Sequence, residues 1–244
     1  MQPVVIQDSI TIALGSTNYN VIVSNESLRP LQRLPFPAKI TLAMVASAAD
    51  LQVSLDCGSD NLVSDSNGRI STSTPELPLD VVNDEAYGEE GDLLVLKAVN
   101  PTGANIELRY MIIAQPLANS GEVVNLPPNT RVMQQGPIAV NTGTTDLQLL
   151  DGLRYERARV DSIMTVLMTQ SAAGITREIY IDSERIAPPS TISLANRIPQ
   201  EPFDLTITGV ECPADKLIQL TVSNQSGNNR NVFWKQKLQE LVRT

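Results

Sequence analysis

The chain has 244 residues, of which 42% are hydrophobic and 4% aromatic, and its formal net charge at pH 7 is −9. This acidic surplus disfavours binding to nucleic acid, whose phosphates it repels, and no apolar run approaches the ~20 residues of a membrane-spanning helix. The sequence contains no histidine and only two cysteines, which excludes histidine-dependent nucleophile activation and zinc sites made by histidine or by four cysteines of one chain.

β-Strands are predicted along most of the chain, because its apolar residues fall in short alternating segments that turn residues close. The predicted strands are 10–14, 20–23, 40–45, 51–55, 79–82, 93–99 and 106–114, then 147–150, 162–168, 176–181, 203–207, 217–222 and 231–235. Residues 1–9 precede them as an extended arm. In residues 234–243 the apolar side chains fall at i, i+4 and i+7, which predicts a segment that begins as strand and ends as a short amphipathic helix.

The chain repeats itself with a shift of 124 residues. Residues 41–105 align with residues 165–229 without a gap, and 15 of the 65 aligned residues are identical. The signatures Pro-x-x-Pro-(Leu/Phe)-Asp, at 75–80 and 199–204, and Asn-x-x-Gly, at 100–103 and 224–227, occur in both copies. The second signature predicts a turn that joins the last two strands of each copy as a hairpin.

We therefore predict an all-β fold of two tandem duplicated antiparallel β-sandwich (jelly-roll-like) domains joined by a Pro-rich linker. Residues 1–115 form the first sandwich with its N-terminal arm, residues 116–138 form the linker along the surface, and residues 139–244 form the second sandwich with its C-terminal tail. Jelly-roll and immunoglobulin-like strand orders give the same pattern of short alternating strands, so both remain open.

Two acidic segments are candidates for a cation site because hard cations take carboxylate oxygens. Residues 83–92 hold five acids, and Asp56, Asp60, Asp65 and Asn67 lie in a Ser/Asp/Asn-rich segment. Neither spacing matches a known calcium loop, so both segments are predicted to be solvated loops. Asp80 and Asp204 are the acids kept at one place in both copies, and a twice-used acid indicates a turn more than it indicates chemistry.

No catalytic, cofactor-binding or metal-binding residue is predicted, and no small-molecule substrate. For a glycan-binding module, which would stack sugars on aromatic rings, the first residues to consider are Tyr87, Tyr110 and Trp234. Cys57 and Cys212 do not align with each other in the repeat, and both are predicted to be buried thiols of a protein made in the cytoplasm.

Taken together, these features resemble the capsid and head-decoration proteins of bacterial viruses, many of which are jelly-roll or related β-sandwich modules. The features that carry the resemblance are two tandem sandwiches, an acidic composition and the absence of histidine. The resemblance spans the whole chain and is architectural, so it assigns no functional residue.

What the resemblance implies is a virion structural protein with no enzymatic activity, made in the host cytoplasm. Its partners would be other capsid proteins and itself, as a homotrimer, with no nucleic acid and no membrane. We expect a decoration or cement protein that stabilises a phage head, with residues 1–9, 116–138 and 234–244 making the contacts. The alternatives are a double-jelly-roll major capsid protein and a cell-surface or glycan-binding module; a hydrolase working through carboxylates is the least favoured.

Overall fold

The structure, a computed structural model, describes residues 2–25, 28 and 32–242, and almost all of its regular structure is β-strand. Met1 of the predicted arm and Arg243 and Thr244 of the predicted tail lie outside the described residues. The chain divides into two compact units, here called unit 1 (Met1–Val132) and unit 2 (Met133–Val242). Within the described residues, no helix is both long enough and apolar enough to span a membrane.

In the described residues of unit 1, nine strands and one single-turn helix precede β10, Thr130–Val140. The strands are β1 Val4–Ile12, β2 Tyr19–Asn20, β3 Ala38–Ala46, β4 Gln52–Cys57, β5 Asp60–Ser66, β6 Arg69–Ile70, β7 Val81–Gly88, β8 Leu94–Val99 and β9 Ile106–Pro116, and the helix is α1 Val21–Ser24. The unit boundary falls inside β10, Thr130–Val140.

Unit 2 continues from the second part of β10. Its other strands are β11 Leu147–Gln148, β12 Ser162–Gln170, β13 Ile175–Ile181, β14 Glu184–Thr191, β15 Ser193–Leu194, β16 Leu205–Cys212, β17 Ile218–Asn224 and β18 Arg230–Glu240, with a 3₁₀ turn at Arg154–Glu156.

Each unit is a jelly roll. In unit 1 one sheet has the strand order β1-β9-β3-β7, with the short β6 also on β3, and the second sheet has the order β2-β8-β4-β5. In unit 2 the corresponding orders are β10-β18-β12-β16, with β15 on β12, and β11-β17-β13-β14. If the short strands β6 and β15 are left out and the remaining eight strands of each unit are numbered 1 to 8 along the chain, the strand orders of the two sheets are 1-8-3-6 and 2-7-4-5 in both units. This interleaving of eight antiparallel strands in two sheets is the jelly-roll arrangement, not the immunoglobulin one.

The strand bounds repeat with the shift found in the sequence. The pairs β3 and β12, β7 and β16, and β9 and β18 have bounds that differ by 124 at both ends. The isolated bridge between Arg33 and Leu93 recurs, with the same shift, between Arg157 and Leu217. Each unit has its own apolar core, and Tyr110 in one core aligns with Trp234 in the other.

The predicted N-terminal arm, residues 1–9, is wrong for its described part. β1 pairs antiparallel with β9 from Val4 to Ile12, so this segment belongs to the sheet of unit 1. The reason is alternation: Ile6 and Ile12 are fully buried while the residues beside them face outward, which is the pattern of a strand with one face on a core.

The strand predicted at the start of the tail is present, but the helix predicted to follow it is wrong up to Glu240, because β18 runs without a break to that residue and pairs with β12 over Val232–Glu240. Trp234 and Leu238 are four residues apart, an even number, so the spacing that suggests a helix equally places both on one face of a strand. The ladder sets Trp234 opposite Met168 and Leu238 opposite Met164, and both side chains are buried.

Two further predictions about connections need correction. β10, Thr130–Val140, takes up residues 130–138 of the predicted extended linker 116–138, because Val132 and Met133 are completely buried. The Asn-x-x-Gly turns do not close hairpins: β8 pairs with β2 and β4, whereas β9 pairs with β1 and β3. The turn therefore carries the chain from one sheet to the other, and the same holds for β17 and β18.

Candidate interaction surface

The loop that joins β5 to β7 is fixed in unit 1 by Asp80, which is 4% exposed. Its carboxylate accepts hydrogen bonds from Nε and Nη2 of Arg69, at 2.6 and 3.0 Å, and from the backbone N–H of Glu76 at 2.8 Å. The hydrogen bond that Arg69 donates to Asp80 raises the pKa of Arg69. Inside this turn the Leu77–Pro78 peptide bond is cis. The acid thus closes a turn, because it satisfies donors that the loop backbone leaves free.

The loop that joins β14 to β16 in unit 2 has the same construction. Asp204 accepts from Nη1 of Arg197 at 2.6 Å and from the backbone N–H of Gln200 at 2.9 Å, and the Glu201–Pro202 bond is cis. Arg197 lies four residues past the position that aligns with Arg69, which is Ser193. The ion pair is therefore kept in both units although its cation comes from two different places in the loop.

These two loops expose large apolar side chains at matching positions. Ile70 (51% exposed) aligns with Leu194 (67%), and Leu79 (39%) aligns with Phe203 (78%). Leu77 in the first loop and Leu205, the first residue of β16, are also exposed. A single exposed leucine is ordinary on a protein surface, but an exposed apolar cluster on a fixed loop is typical of an interaction site. We call the two clusters together the apolar loop surface: Ile70, Leu77, Leu79, Leu194, Phe203 and Leu205.

The acidic segment 83–92, predicted to be a loop, is strand up to Gly88. Asn83 is buried and its Nδ2 donates to the carbonyls of Leu62 and Thr130, at 3.0 and 2.8 Å. Only the residues after Gly88 turn, where the N–H of Glu89 donates to the Asp92 carboxylate at 2.8 Å. Val82 and Ala86 of this strand are buried, and the acidic residues around them hide that pattern in the sequence.

The second acidic candidate is also mostly strand rather than loop, because Asp56 lies in β4, and Asp60 and Asp65 lie in β5. Their carboxylates have different partners: Asp56 pairs with Lys97 at 2.7 Å, and Asp60 pairs with Arg131 at 3.1 Å. Among the residues that the structure describes, no group of three His, Cys, Asp or Glu is arranged to hold a metal ion.

The aromatic residues considered for glycan stacking do not form a face. Tyr110 and Trp234 are 1% and 0% exposed, one in the core of each unit, and Tyr87 is half-buried. Burial raises the pKa of both Tyr110 and Tyr87. A surface depression of about 580 Å³ lies in unit 2 beside Tyr180 and is lined mainly by polar side chains such as Glu178, Arg185 and Gln219.

Both cysteines are buried, as the sequence predicts. Burial, together with the nearby Asp161 carboxylate, raises the pKa of Cys212 to about 11. A thiol with that pKa stays protonated at neutral pH and is a poor nucleophile. The structure therefore gives Cys212 a packing role at the end of β16.

No family model matches the chain and no curated protein matches it. Among solved structures it is similar to the major capsid protein P2 from Bacteriophage PM2, with 10% identity, a TM-score of 0.38 and full coverage of both chains. It is also similar to two structures of the vicilin from Solanum melongena, each with a TM-score of 0.23. These have 10% and 9% identity, and the matches cover 86% and 97% of this chain and 72% and 75% of the vicilin chains. TM-scores below 0.5 do not by themselves establish a shared function.

The sequence does not single out the apolar loop surface as a site. A signal was nevertheless present: an apolar residue follows the second proline and precedes the repeated aspartate in both copies, at Leu79 and Phe203. A large apolar side chain at a turn position is unusual because turns normally carry small or polar residues.

Proposed function

We propose that this chain is a structural protein of a bacterial virus particle and that its task is to associate with copies of itself. The observation that carries the proposal is the correspondence of the two units: one jelly-roll strand order is used twice, and each unit presents a fixed loop with exposed apolar side chains. Jelly rolls occur in viral capsid and lectin domains and in cupins. The candidate residues for lectin stacking are largely buried and no described cluster suits a metal, so the shell role is favoured over the other two.

Within that role we infer a coat protein that forms a homotrimer. Three copies of a chain with two equivalent units offer six similar corners, each carrying one apolar loop, and such a ring fits a closed shell with neighbours on six sides. Assembly would bury Leu79, Phe203 and their neighbours against adjacent subunits. The protein would then be made in the host cytoplasm, reside in the virion and act without catalysis.

A decoration protein, which binds the outside of a shell that other subunits build, is the second candidate. The observation that favours it is the net charge of −9, which suits a surface turned toward solvent and away from packaged DNA. Sequence composition supports decoration, whereas the strand order supports a coat, because a decoration protein has no need for two equivalent units in one ring.

The solution mass of the purified chain, measured by light scattering over a range of concentrations, tests the proposal. Since one chain is 26.5 kDa, a trimer would weigh about 80 kDa, and we expect that mass to predominate. Electron microscopy after a change of salt or pH then separates the two roles: a coat protein forms shells without other proteins, whereas a decoration protein requires added capsids. A monomer that neither assembles nor binds phage heads would contradict the proposal.

A further inference from the structure

In unit 1 the side of the sandwich that lies between the edge strands β5 and β7 is covered by residues 129–132. Val132 pairs in parallel with Val63 of β5. On the β7 side, the carbonyl of Thr130 accepts from Asn83, and Oδ1 of Asn129 accepts from the N–H of Tyr87 at 2.7 Å. This segment, which we call the cover, thus bonds to both sheets at their free edges.

The cover is also held by charge. Arg131 is 5% exposed, and its guanidinium donates to the carboxylate of Asp60 at 3.1 Å and to the carbonyl of Asn61 at 3.0 Å. As a result β5 is almost entirely buried, although it is the last strand of its sheet.

In unit 2 the equivalent strands β14 and β16 have no cover among the described residues. β14 pairs only with β13, and β16 pairs only with β12. Most residues of β14 and β16 are exposed or half-buried, in contrast to β5 and β7. We call this side of the sandwich the open side; a sheet edge left bare in this way is a template for another chain.

A buried cation with unused donors lies behind the open side. Arg177 of β13 is 8% exposed, and its Nη2 donates to the carbonyl of Thr206 in β16 at 3.2 Å. Its Nε and Nη1, and Oγ of Ser190 in β14, have no hydrogen-bond partner. Desolvation lowers the pKa of Arg177. Because unpaired buried donors are costly, this arrangement suits an incoming segment that brings acceptors such as main-chain carbonyls.

The internal repeat identifies which segment that is. Around the first strand of each unit the shift is 128: Nδ2 of Asn100 donates to the carbonyl of Ile12, and Nδ2 of Asn224 donates to that of Val140. Because Ile12 is equivalent to Val140, subtracting the same 128 from residues 130–132 gives residues 2–4 as their equivalents in unit 1. Gln2 and Pro3 are exposed and precede β1, so in a single copy they cover nothing.

We propose that the open side of unit 2 binds residues 2–4 of a second copy of this chain, which repeats between copies the main-chain pairing of Val132 with Val63 in unit 1. The inference rests on the proposed self-association and specifies its interface. Such a contact is head-to-tail, since one copy offers its open side and the other its first residues, and it forms a ring when the rotation closes. Pro188 and Pro189 limit strand addition along β14 to a short contact, which matches the single ladder pair of the cover.

A cross-linking experiment on the full chain tests the interface. In unit 1 Val132 pairs with Val63 in parallel. With the shift of 128 for the first strand and of 124 for β14, the equivalent pair between copies is Val4 with Ala187, and two residues earlier on both strands Gln2 lies opposite Arg185. We expect the double variant Gln2→Cys/Arg185→Cys to form disulfide-linked oligomers under mild oxidation, and each single variant to stay unlinked. The matched control is Gln2→Cys/Asp151→Cys, in which the second cysteine is placed at an exposed turn of unit 2 away from the open side.

A second variant addresses the buried cation. Arg177→Met keeps the length and apolar stem of the side chain but removes the donors, so we expect the unfolding midpoint of the single chain to be kept or raised. The dissociation constant of self-association, measured by light scattering on a dilution series, should rise by about tenfold or more. A variant that unfolds at lower denaturant while it associates normally would show that Arg177 serves its own unit only.

The outcomes separate this inference from the proposed function. If the wild-type chain associates but the cysteine pair does not link and Arg177→Met associates normally, the interface is overturned while self-association stands. If the wild-type chain is a monomer at every concentration, both fail.

Discussion

Cys212 shows how burial at one residue makes stability depend on pH. Its side chain is 1% exposed at the end of β16, and burial, more than the charge of Asp161, raises its pKa to about 11. An unfolded cysteine ionises near its ordinary pKa, about 8.5. The folded state therefore keeps a proton that the unfolded state releases, and this contribution is complete below the unfolded pKa and lost as pH rises toward the folded one.

We accordingly expect the free energy of unfolding to fall by about 2–3 kcal/mol between pH 8.5 and 11 on account of Cys212. Urea unfolding at pH 7, 8.5 and 10.5, carried out on the wild type and on Cys212→Ala, measures the effect. The variant has lost a buried sulfur and starts less stable, so the comparison concerns the slope with pH and not the value at pH 7. Equal slopes for the two proteins would disprove this account.

At the scale of elements, the turns that carry the chain between the two sheets each depend on one buried asparagine. Nδ2 of Asn100 donates to the carbonyls of Ile12 and Ala104, at 3.1 and 2.8 Å, and its Oδ1 accepts from the N–H of Thr102 at 3.1 Å. The turn between β8 and β9 is thereby tied to the end of β1. The amide thus joins the turn that follows β8 to β1, a strand of the other sheet.

Asn224 makes the same set of bonds in unit 2, to Val140, Asn228 and Ser226. We expect Asn100→Ala and Asn224→Ala each to cost about 2–4 kcal/mol, because several buried polar groups lose their partners at once. Asn105→Ala and Asn229→Ala are the matched controls: these exposed asparagines accept one backbone hydrogen bond each, from Leu14 and Thr142, so the cost should stay below about 1 kcal/mol. Chemical denaturation of the four variants gives the values, and equal costs in the two pairs would contradict the role assigned to Asn100 and Asn224.

The elements also show how far the sequence determines the fold. Clean alternation, as in residues 51–55, predicts β4 to within two residues at each end. β5 escapes prediction because buried polar residues interrupt its pattern: Asn61, Ser64 and Ser66 are 3%, 1% and 0% exposed. Their burial follows from the cover and from neighbouring strands, which are long-range partners that no local period reveals.

The candidate site is harder to predict than the strands, for a related reason. The sequence indicates that Asp80 and Asp204 stabilise turns, but the cation of the second turn, Arg197, lies outside the aligned position. Whether a leucine or phenylalanine near a proline is buried or exposed depends on what the finished loop packs against. The exposure of Leu79 and of Phe203 is therefore known only from the folded structure of each loop.

At the scale of the whole molecule, the apolar loop surface places exposed apolar side chains at matching positions of both units, even though their sequences have diverged. Leu79 and Phe203 occupy matching positions and contribute little to their own cores, since they are 39% and 78% exposed. Apolar area that stays in water in a single copy becomes a driving force when copies meet, at about 25 cal/mol per Å² buried. A shell multiplies this small gain over many identical contacts, so weak surfaces suffice.

We expect Leu79→Asn and Phe203→Asn to leave the unfolding free energy within about 1 kcal/mol of wild type, because neither change opens a core cavity. Each should raise the protein concentration needed to form particles larger than the basic oligomer, and the double variant should raise it further than either. The control is Val123→Asn, which changes a side chain that is 99% exposed but lies outside both loops. Light scattering measured over a range of protein concentrations gives the concentration at which particles form, and electron microscopy of the final samples shows what they are. If the control impairs particle formation as much as the double variant does, general surface hydrophobicity and not the repeated loop controls assembly.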